Sequence, residues 1–378
     1  MVIVVNTRLL LKGKLEGIGR FTCETLSRIT RAHPEHQFIF LFDRTFDPEF
    51  IFSGNITPVA LFPPTRHPLL WKVWFDYRVP GILKRHRADL FLSPDGYLSL
   101  RTRVPQLPVI HDLNFLHRPA DLPRRVSNYY NRNFPLFARK AARIATVSEW
   151  SKKDIVKSYG IDPGSVDVVY NGCTASFKPI SQERKEAVRS RYSGGYPYFL
   201  YVGALHPRKN IGGLLAAFEE YKSRYGGAEK LLITGGRMFR NAKAESLAGS
   251  MKYRDEVIFT GRVSQEELPD IYGAALALTF VPFFEGFGIP VVEAMGAGIP
   301  VICSHTTSLP EVAGDAALFT DPHQPHQIAW AMQKVSSEES LRNQMIEKGF
   351  RQKDQFSWDR SAELLWESLM KALAAKER

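Results

Sequence analysis

The sequence predicts an α/β protein made of two Rossmann-like domains, each a doubly wound parallel sheet. Short apolar runs alternate with helical segments, and this alternation occurs twice along the chain. A length of 378 residues also exceeds what one hydrophobic core usually serves. With a hydrophobic content of 44%, the composition is that of a folded protein with two domains.

The first alternation starts with the apolar run 2–5 and continues through a helical stretch from Phe21 to Thr30. Its further predicted strands are 37–42, 88–93, 109–110 and 144–147. The second alternation has predicted strands at 198–202, 230–234, 257–259, 277–280 and 301–302. The two domains are expected to join near Phe177. Because such sheets bind ligands at the carboxyl ends of their strands, the active site is expected in a cleft between the domains.

The sequence shows no targeting or membrane-spanning signal. No apolar run approaches the ~20 residues that cross a bilayer, and residues 1–6 lack the basic start and the cleavage site of a signal peptide. A cytoplasmic protein is therefore expected.

Basic charge is concentrated in the first half of the chain. Residues 1–177 hold 25 Lys and Arg against 15 Asp and Glu, a net charge of +10, whereas residues 178–378 hold 25 against 24, a net charge of +1. This asymmetry indicates an anionic partner for the first domain, such as a phosphorylated acceptor or an acidic membrane surface. Nucleic acid is not expected, because no helix-turn-helix, zinc or RNA-binding signature accompanies the charge.

The stretch from Glu285 to Glu293 sets two carboxylates eight residues apart around a Gly-Phe-Gly turn. Gly286 and Gly288 let backbone amides approach an anion, and Pro290 at a first helical position points the positive end of a helix the same way. Glu293 is predicted in the first helical turn, where it can bind a ribose diol, while Glu285 holds hydroxyls of a second sugar. The pattern indicates a nucleotide diphosphate sugar as ligand. The alternative is an ordinary strand-loop-helix connection.

This stretch resembles the Glu-x7-Glu element of the retaining glycosyltransferases of family 4. The resemblance extends over nearly the whole chain through further motifs, which are Gly17-Ile-Gly-Arg20, Ile110-His-Asp-Leu113, Thr146-Val-Ser-Glu149, Tyr170-Asn-Gly172, Gly203 with Pro207-Arg-Lys-Asn210, and Ser308 through Gly314. It implies the GT-B fold, with an acceptor domain over 1–177 and a nucleotide-sugar domain over 178–357. The segment 358–378 is then a helix that crosses back to pack on the first domain.

The resemblance also implies a set of donor-binding residues. Arg208 and Lys209 look like the basic pair that grips the diphosphate and neutralises the charge growing on the leaving group. A solvated surface pair is the alternative. Many relatives place an arginine directly after the glycine that corresponds to Gly203, whereas this chain has Ala204. Further donor contacts are assigned to Gly17, Gly19, Gly203, Gly235, Arg262, Val263, Gly286, Phe287, Gly288 and Ile289.

The first domain contributes candidates as well. Gly17 and Gly19 are expected in a flexible loop before a helix, touching the donor phosphate or the acceptor, with a helix-capping turn as the alternative. They do not form the dinucleotide fingerprint, because Thr22 occupies the place of its third glycine. His111 matches the family's histidine that faces the donor sugar near the reacting carbon, and a structural histidine is the alternative. Acceptor contacts are assigned to Asp95, Asp112, Arg124 and Arg125.

Two stretches mix aromatic and basic residues. In the first, the aromatic residues Trp71, Trp74 and Phe75 lie beside several basic ones, and a denser mixture runs from Arg124 to Lys140. Such mixtures fit a peripheral contact with an anionic membrane or recognition of a lipid pyrophosphate. The alternative is ordinary amphipathic helices packed on the sheet.

The expected reaction needs neither metal nor cofactor. No Asp-x-Asp occurs, so Arg208, Lys209 and the helix dipole must neutralise the diphosphate. The resemblance implies retention by front-face attack, with Glu285 positioning the sugar. It is nearest to bacterial mannosyltransferase-like members, which favours GDP-mannose as donor and a glycan or lipid-linked acceptor.

The sequence leaves two alternative functions open and excludes a third. A UDP-sugar donor and a non-catalytic nucleotide-sugar-binding relative remain alternatives. A nicotinamide-dependent dehydrogenase is excluded, because the glycine fingerprint does not follow the first strand.

Overall fold

The computed structural model describes residues 1–236 and 242–374, with the backbone alone for 242–245. The chain divides into two compact units. The first comprises Met1–Gly172 together with the C-terminal segment from Ser357, and the second comprises Cys173–Phe356.

The first unit is built on a parallel sheet in the order β3-β2-β1-β4-β5. Its strands are β1 Val2–Asn6, β2 Gln37–Phe42, β3 Ile56–Ala60, β4 Leu90–Ser93, β5 Gln106–Pro108, β6 Ile144–Thr146 and β7 Val166–Val168. Its N-terminal helices are α1 Gly17–Ala32, α2 Pro68–Val73, α3 Val79–Arg85, α4 Asn114–His117, α5 Arg124–Lys140 and α6 Glu149–Tyr159. The pair β6-β7 continues the sheet through a bridge between Val109 and Ala145.

The second unit has a parallel sheet in the order β10-β9-β8-β11-β12-β13. Its strands are β8 Tyr198–Val202, β9 Lys230–Thr234, β10 Val257–Gly261, β11 Ala277–Phe280, β12 Val301–Ser304 and β13 Ala317–Thr320. Its helices are α7 Gln182–Ser193, α8 Ile211–Tyr225, α9 Ala242–Ser250, α10 Leu268–Ala274, α11 Ile289–Ala297, α12 Leu309–Ala313, α13 Pro325–Ser337 and α14 Glu339–Lys353.

The central strands of both sheets are fully buried, as their continuous apolar runs require. Ile3, Val4 and Val5 of β1 are inaccessible to solvent, and so are Phe199 and Leu200 of β8. In each unit the strand order reverses beside the first strand, between β1 and β4 and between β8 and β11. These are the switch points at which doubly wound sheets bind ligands. The predicted fold class is confirmed.

The last helix, α15, spans Trp358–Ala374 and packs on α1 within the first unit, as predicted. The ring of Trp366 stacks on His33 with ring centroids 3.7 Å apart, and Trp358 meets Phe21 edge-on. Nε of Arg28 on α1 forms an ion pair with Oδ1 of Asp359 at 2.5 Å. The final residues 375–378 of the predicted segment lie outside the described part of the chain.

The chain leaves the first unit after Gly172, five residues before the predicted boundary at Phe177. Residues 173–177 belong to the second unit because they pack on α10 and α11. The thiol of Cys173 lies 3.6 Å from the carbonyl of Val292, and the ring of Phe177 meets Tyr272 edge-on. Gly172 lies directly against the returning chain, since a Cβ atom there would come within 2.3 Å of the backbone nitrogen of Trp358.

Candidate functional site

A cluster of charged residues occupies the switch point of the second sheet. Arg208 and Lys209 follow β8, and Glu285 follows β11, the strand beside it. Carboxyl ends of adjacent parallel strands meet at the same edge of a sheet, so residues far apart in sequence converge here.

Glu285 is the centre of this cluster. Its Oε2 atom accepts a hydrogen bond from Nη1 of Arg208 at 3.1 Å and a second, shorter one from Nζ of Lys209. Burial by itself would raise the pKa of Glu285, and the charges of Lys209 and Arg208 outweigh it and hold that pKa below its usual range. The side chain is only 13% exposed and is ionised at neutral pH.

A short 3-10 turn at Pro207–Lys209 fixes the two cations. The next residue, Asn210, takes a left-handed conformation with φ of 59° and is the N-cap of α8. Its side-chain amide nitrogen Nδ2 donates to the carbonyls of Val281, at 3.0 Å, and Pro322, at 2.7 Å, which ties the turn to the segments after β11 and β13. Arg208 also donates to the carbonyl of Phe284, and Nζ of Lys209 lies 4.9 Å above the ring of Phe280.

The Gly286-Phe287-Gly288 turn leads directly into α11, and Gly288 has φ of 106°, which a side chain would rarely allow. Ile289 is the first residue of this helix and Pro290 the second, one position later than predicted. The hydroxyl of Ser308 donates to the carbonyls of Glu285 and Phe287, at 2.9 and 3.1 Å.

Thr307 also holds this turn, through its Oγ1 atom, which accepts from the backbone amide of Glu285 at 3.2 Å. Its φ of 57° is unusual for a β-branched residue, so the loop maintains a strained conformation at the site.

Glu293 lies deeper than the sequence predicts. It is the fifth residue of α11, beyond the first turn, because the helix begins at Ile289. The carboxylate is buried, and its Oε2 atom accepts a hydrogen bond of 2.9 Å from the hydroxyl of Tyr272. Sequence reasoning missed Tyr272, which lies on α10 and has no neighbouring motif.

The glycines after β8 and β9 lie against each other. A Cβ atom on Gly235, whose φ is 153°, would come within 2.0 Å of the carbonyl oxygen of Gly203. A Cβ atom on Gly236 would instead come within 3.1 Å of the movable guanidinium of Arg262. Arg262 and Val263 directly follow β10 and are exposed and partly exposed, respectively.

The switch point of the first sheet carries a buried ion pair. Asp95 follows β4, and its Oδ2 atom lies 2.5 Å from Nε of Arg8, which follows β1. The other oxygen of Asp95 accepts from the amide of Asn6 at 2.7 Å. Arg8 lies over the ring of Tyr97, 4.5 Å from its centroid, and donates to the hydroxyl of Thr65. Sequence reasoning missed Arg8, although its place directly after a strand could have identified it.

His111 lies beyond the end of β5. Its Nε2 atom is 2.8 Å from the carbonyl oxygen of Pro94, and because a carbonyl only accepts, Nε2 carries the proton and Nδ1 is an acceptor. Burial lowers the pKa of the ring, against smaller opposing effects of Pro94, Asp112 and Asp95, so the ring is neutral at neutral pH. Phe21 packs edge-on against it, with centroids 5.1 Å apart.

The remaining candidates of the first unit have local roles or are exposed. Gly17 and Gly19 are not in a loop, because α1 already begins at Gly17 and both lie in its first turn. Asp112 accepts hydrogen bonds from the backbone and the side chain of Asn114 at the start of α4. The acceptor candidates Arg124 and Arg125 are exposed in the first turn of α5.

The aromatic residues of the two mixed stretches are largely core. Trp71, Trp74 and Phe75 are buried, and so are Phe134 and Phe137 on α5. The alternative of amphipathic helices packed on the sheet therefore applies to these five residues.

Among the residues that the structure describes, one group of side chains has metal-ligand spacing, formed by His33, Glu35 and His36. It lies at the end of α1, where the two histidine rings stack on Trp366. The group belongs to the packing of α15 on α1 rather than to either switch point.

Comparisons with known proteins identify the family. The profile described as "Glycosyltransferase Family 4" matches residues 15–177, and that of "Glycosyl transferases group 1" matches residues 182–352. The O-antigen chain mannosyltransferase RfbU of Salmonella typhimurium strain LT2 is 30% identical over 258 residues, which are 68% of this chain and 67% of that protein. The chain belongs to glycosyltransferase family 4.

Other members of the family and of the fold agree with this identification. The O-antigen chain mannosyltransferase B of Escherichia coli is 28% identical to this family 4 chain over 92% of its length and 94% of that protein. The sucrose-phosphate synthase of Thermosynechococcus elongatus, 17% identical, superposes with a TM-score of 0.80 and covers 99% of this chain and 100% of that one. The predicted GT-B fold and the likeness to bacterial mannosyltransferases are confirmed.

Proposed function

We propose that this family 4 protein transfers a mannosyl residue from GDP-mannose to a glycan or lipid-linked acceptor, with retention of configuration and without a metal ion. The observation that carries the proposal is the cluster of Glu285, Arg208 and Lys209 beside the N-terminus of α11. The similarity to O-antigen mannosyltransferases over most of the chain supports mannose as the transferred sugar.

The two cations and the helix suit a diphosphate. Arg208 and Lys209 supply positive charge, and the amides of the turn before α11 supply donors at the positive end of a helix dipole. Because Glu285 and the turn at Pro207–Lys209 hold both cations in place, little reorganisation is needed as negative charge develops on the departing diphosphate. Glu285 retains acceptor capacity for sugar hydroxyls, which is the role we assign to it.

The proposed chemistry is a front-face displacement. The bond from the anomeric carbon to the diphosphate oxygen breaks, and the acceptor oxygen bonds to that carbon on the same face. The acceptor oxygen is itself the nucleophile, and its proton passes to the departing phosphate oxygen, so no protein side chain acts as general base. Neutral His111 contributes an acceptor, Nδ1, for a hydroxyl of the donor sugar.

On the acceptor side, Asp95 is paired with Arg8 at the switch point of the first sheet and stays an acceptor candidate. Arg124 and Arg125 are the better candidates for an acceptor phosphate, because both are exposed and lie in the first turn of α5. A cytoplasmic location with a peripheral membrane contact completes the proposal. Within the described residues, no helix is long and apolar enough to cross a bilayer.

A thermal-shift panel tests the donor. GDP, UDP, ADP and dTDP with their sugar conjugates are added in EDTA, because a ligand that binds the native state raises its melting temperature. Stabilisation by GDP and GDP-mannose, followed by mannosyl transfer in EDTA, is expected. Selective stabilisation by UDP-sugars would show that the donor is a UDP-sugar and not GDP-mannose. Nucleotide binding without turnover on any acceptor would indicate a non-catalytic relative.

A further inference from the structure

Large apolar side chains are exposed along one short surface segment of the first unit. Leu69 and Val73 lie on α2, and Tyr77 lies in the π-helical turn Trp74–Arg78 that follows. The three are spaced four residues apart and are 70%, 40% and 52% exposed. Such spacing places them on one face of the helix. With Phe62, which is 54% exposed, we call these residues the apolar stripe.

The apolar stripe does not belong to the core, because the same segment has a separate inward face. Trp71, Trp74 and Phe75 are buried there. The indole nitrogen of Trp71 donates to the carbonyl of Thr65 at 2.7 Å, and that of Trp74 donates to the carbonyl of Leu61 at 2.6 Å. The segment is therefore anchored by its indoles and presents further apolar side chains outwards, where burial would gain free energy.

The charge around the apolar stripe is one-sided. From Phe62 to Ala88 the sequence holds six Lys and Arg and a single acidic residue, Asp76. Asp76 faces the protein, since it accepts from the backbone amide of Leu100 at 2.9 Å. Arg66, Lys72 and Arg78, in contrast, are exposed.

Tyr77 also combines an apolar ring with a positive charge, which a neighbouring arginine supplies. The guanidinium of Arg101 lies 4.1 Å from the centroid of its ring. A tyrosine paired with arginine suits the headgroup level of a bilayer, where one end of the ring is apolar and the other is wet.

We propose that the apolar stripe docks this protein on an anionic lipid bilayer, lying in the plane of the interface, an inference that rests on the peripheral membrane contact of the proposed function. Leu69, Val73 and Phe62 would enter the boundary between headgroups and acyl chains, and the basic side chains would meet lipid phosphates. Aliphatic side chains interleaved with lysine and arginine are the pattern of interfacial helices. The net charge of +10 over residues 1–177 adds long-range attraction to the same surface.

Vesicle flotation without nucleotide tests this proposal independently of the donor. The full chain should bind vesicles of phosphatidylglycerol and phosphatidylethanolamine, and bind phosphatidylcholine vesicles weakly. The double substitution Leu69→Ser with Val73→Ser should reduce binding about ten-fold or more, because two insertions are lost. Arg66→Gln with Lys72→Gln should reduce binding and its dependence on salt.

Leu247→Ser, in the second unit, is the matched control, because Leu247 is similarly exposed at 43%. All variants should keep the wild-type melting temperature and nucleotide shift, so a failure here leaves the donor proposal standing. Equal binding to anionic and neutral vesicles, no binding, or full binding by the serine pair would overturn the proposal. A dimer that the serine pair dissociates would also overturn it and would assign the apolar stripe to a second copy of the chain.

Discussion

Lys209 and Glu285 form an ion pair beyond the carboxyl ends of the neighbouring strands β8 and β11, with both side chains largely buried. The pair joins residues 76 positions apart, and Arg208 shares the same carboxylate oxygen. A carboxylate so placed has two separable effects. It holds the cations in position, and under the proposed function it presents an acceptor to the ligand.

Glu285→Gln separates binding from turnover. The amide keeps the size of the side chain and removes one negative charge, so the site becomes more positive and should still bind a nucleotide diphosphate. Turnover should fall about a hundred-fold, because the sugar loses a charged acceptor. Thermal shift and transfer rate measure the two effects, with Glu339→Gln on exposed α14 as the control. Near-wild-type turnover would refute the role of Glu285.

Lys209→Met should destabilise the fold by about 3 kcal/mol, because it leaves the carboxylate of Glu285 buried with a weaker partner. Adding Glu285→Gln to this variant should recover part of that loss, since the charge that lacked compensation is gone. Chemical denaturation of the wild type, both single variants and the double variant gives the coupling energy. Additive losses would mean that the two side chains are energetically independent.

Gly235→Ala should destabilise the second unit by about 2 kcal/mol or more, because the new Cβ atom would overlap the carbonyl of Gly203 and φ is positive. Gly236→Ala is the matched control, since its Cβ atom would meet only the end of the Arg262 side chain. Melting temperatures of the two variants provide the comparison. Equal melting temperatures of the two variants would show that the loops after β8 and β9 can move apart without loss of stability.

His111 predicts a pH effect on stability. Its pKa in the folded state lies below the ordinary value of 6.5, so the neutral ring stabilises the fold above that value. This contribution is lost as the pH falls from 6.5 through the lower folded pKa, because the unfolded chain binds the proton first. The slope from one group cannot exceed about 1.4 kcal/mol per pH unit.

His111→Gln should flatten this acid-side loss, since glutamine does not titrate and can still donate to Pro94. Melting curves of both proteins between neutral and mildly acidic pH provide the test. If both proteins lose stability equally as the pH falls, a group other than His111 causes the loss of stability at acidic pH.

The sequence predicted most buried strands well and most edge strands poorly, although the buried strand β5, expected at 109–110, lies at Gln106–Pro108. β3 and β7 were missed because each lies at an edge and lacks a continuous apolar run, and the edge strand β13 was missed as well. Pro58 interrupts β3, and β7 has Asp167 at its centre. Sheet edges tolerate such residues, so their patterns carry little signal.

The candidate site shows the same limit. Its motif residues could be found from their order along the chain, and Arg8 from its place directly after a strand, whereas Tyr272 could not, because tertiary folding alone brings it to Glu293. The inward orientation of Trp71 and Trp74 was also not readable, since apolar residues occupy both faces of that segment.

The contact of Gly172 with Trp358 brings together the two points at which the chain leaves the first unit and returns to it. The second unit is an insertion within the first, and its two ends are neighbours, since the amide of Cys173 donates to the carbonyl of Phe356 at 3.1 Å. A single pair of cuts, after Gly172 and before Ser357, would therefore excise the whole second unit. Under the proposed function, chimeras joined at these two points would exchange the specificity for the donor and keep the specificity for the acceptor.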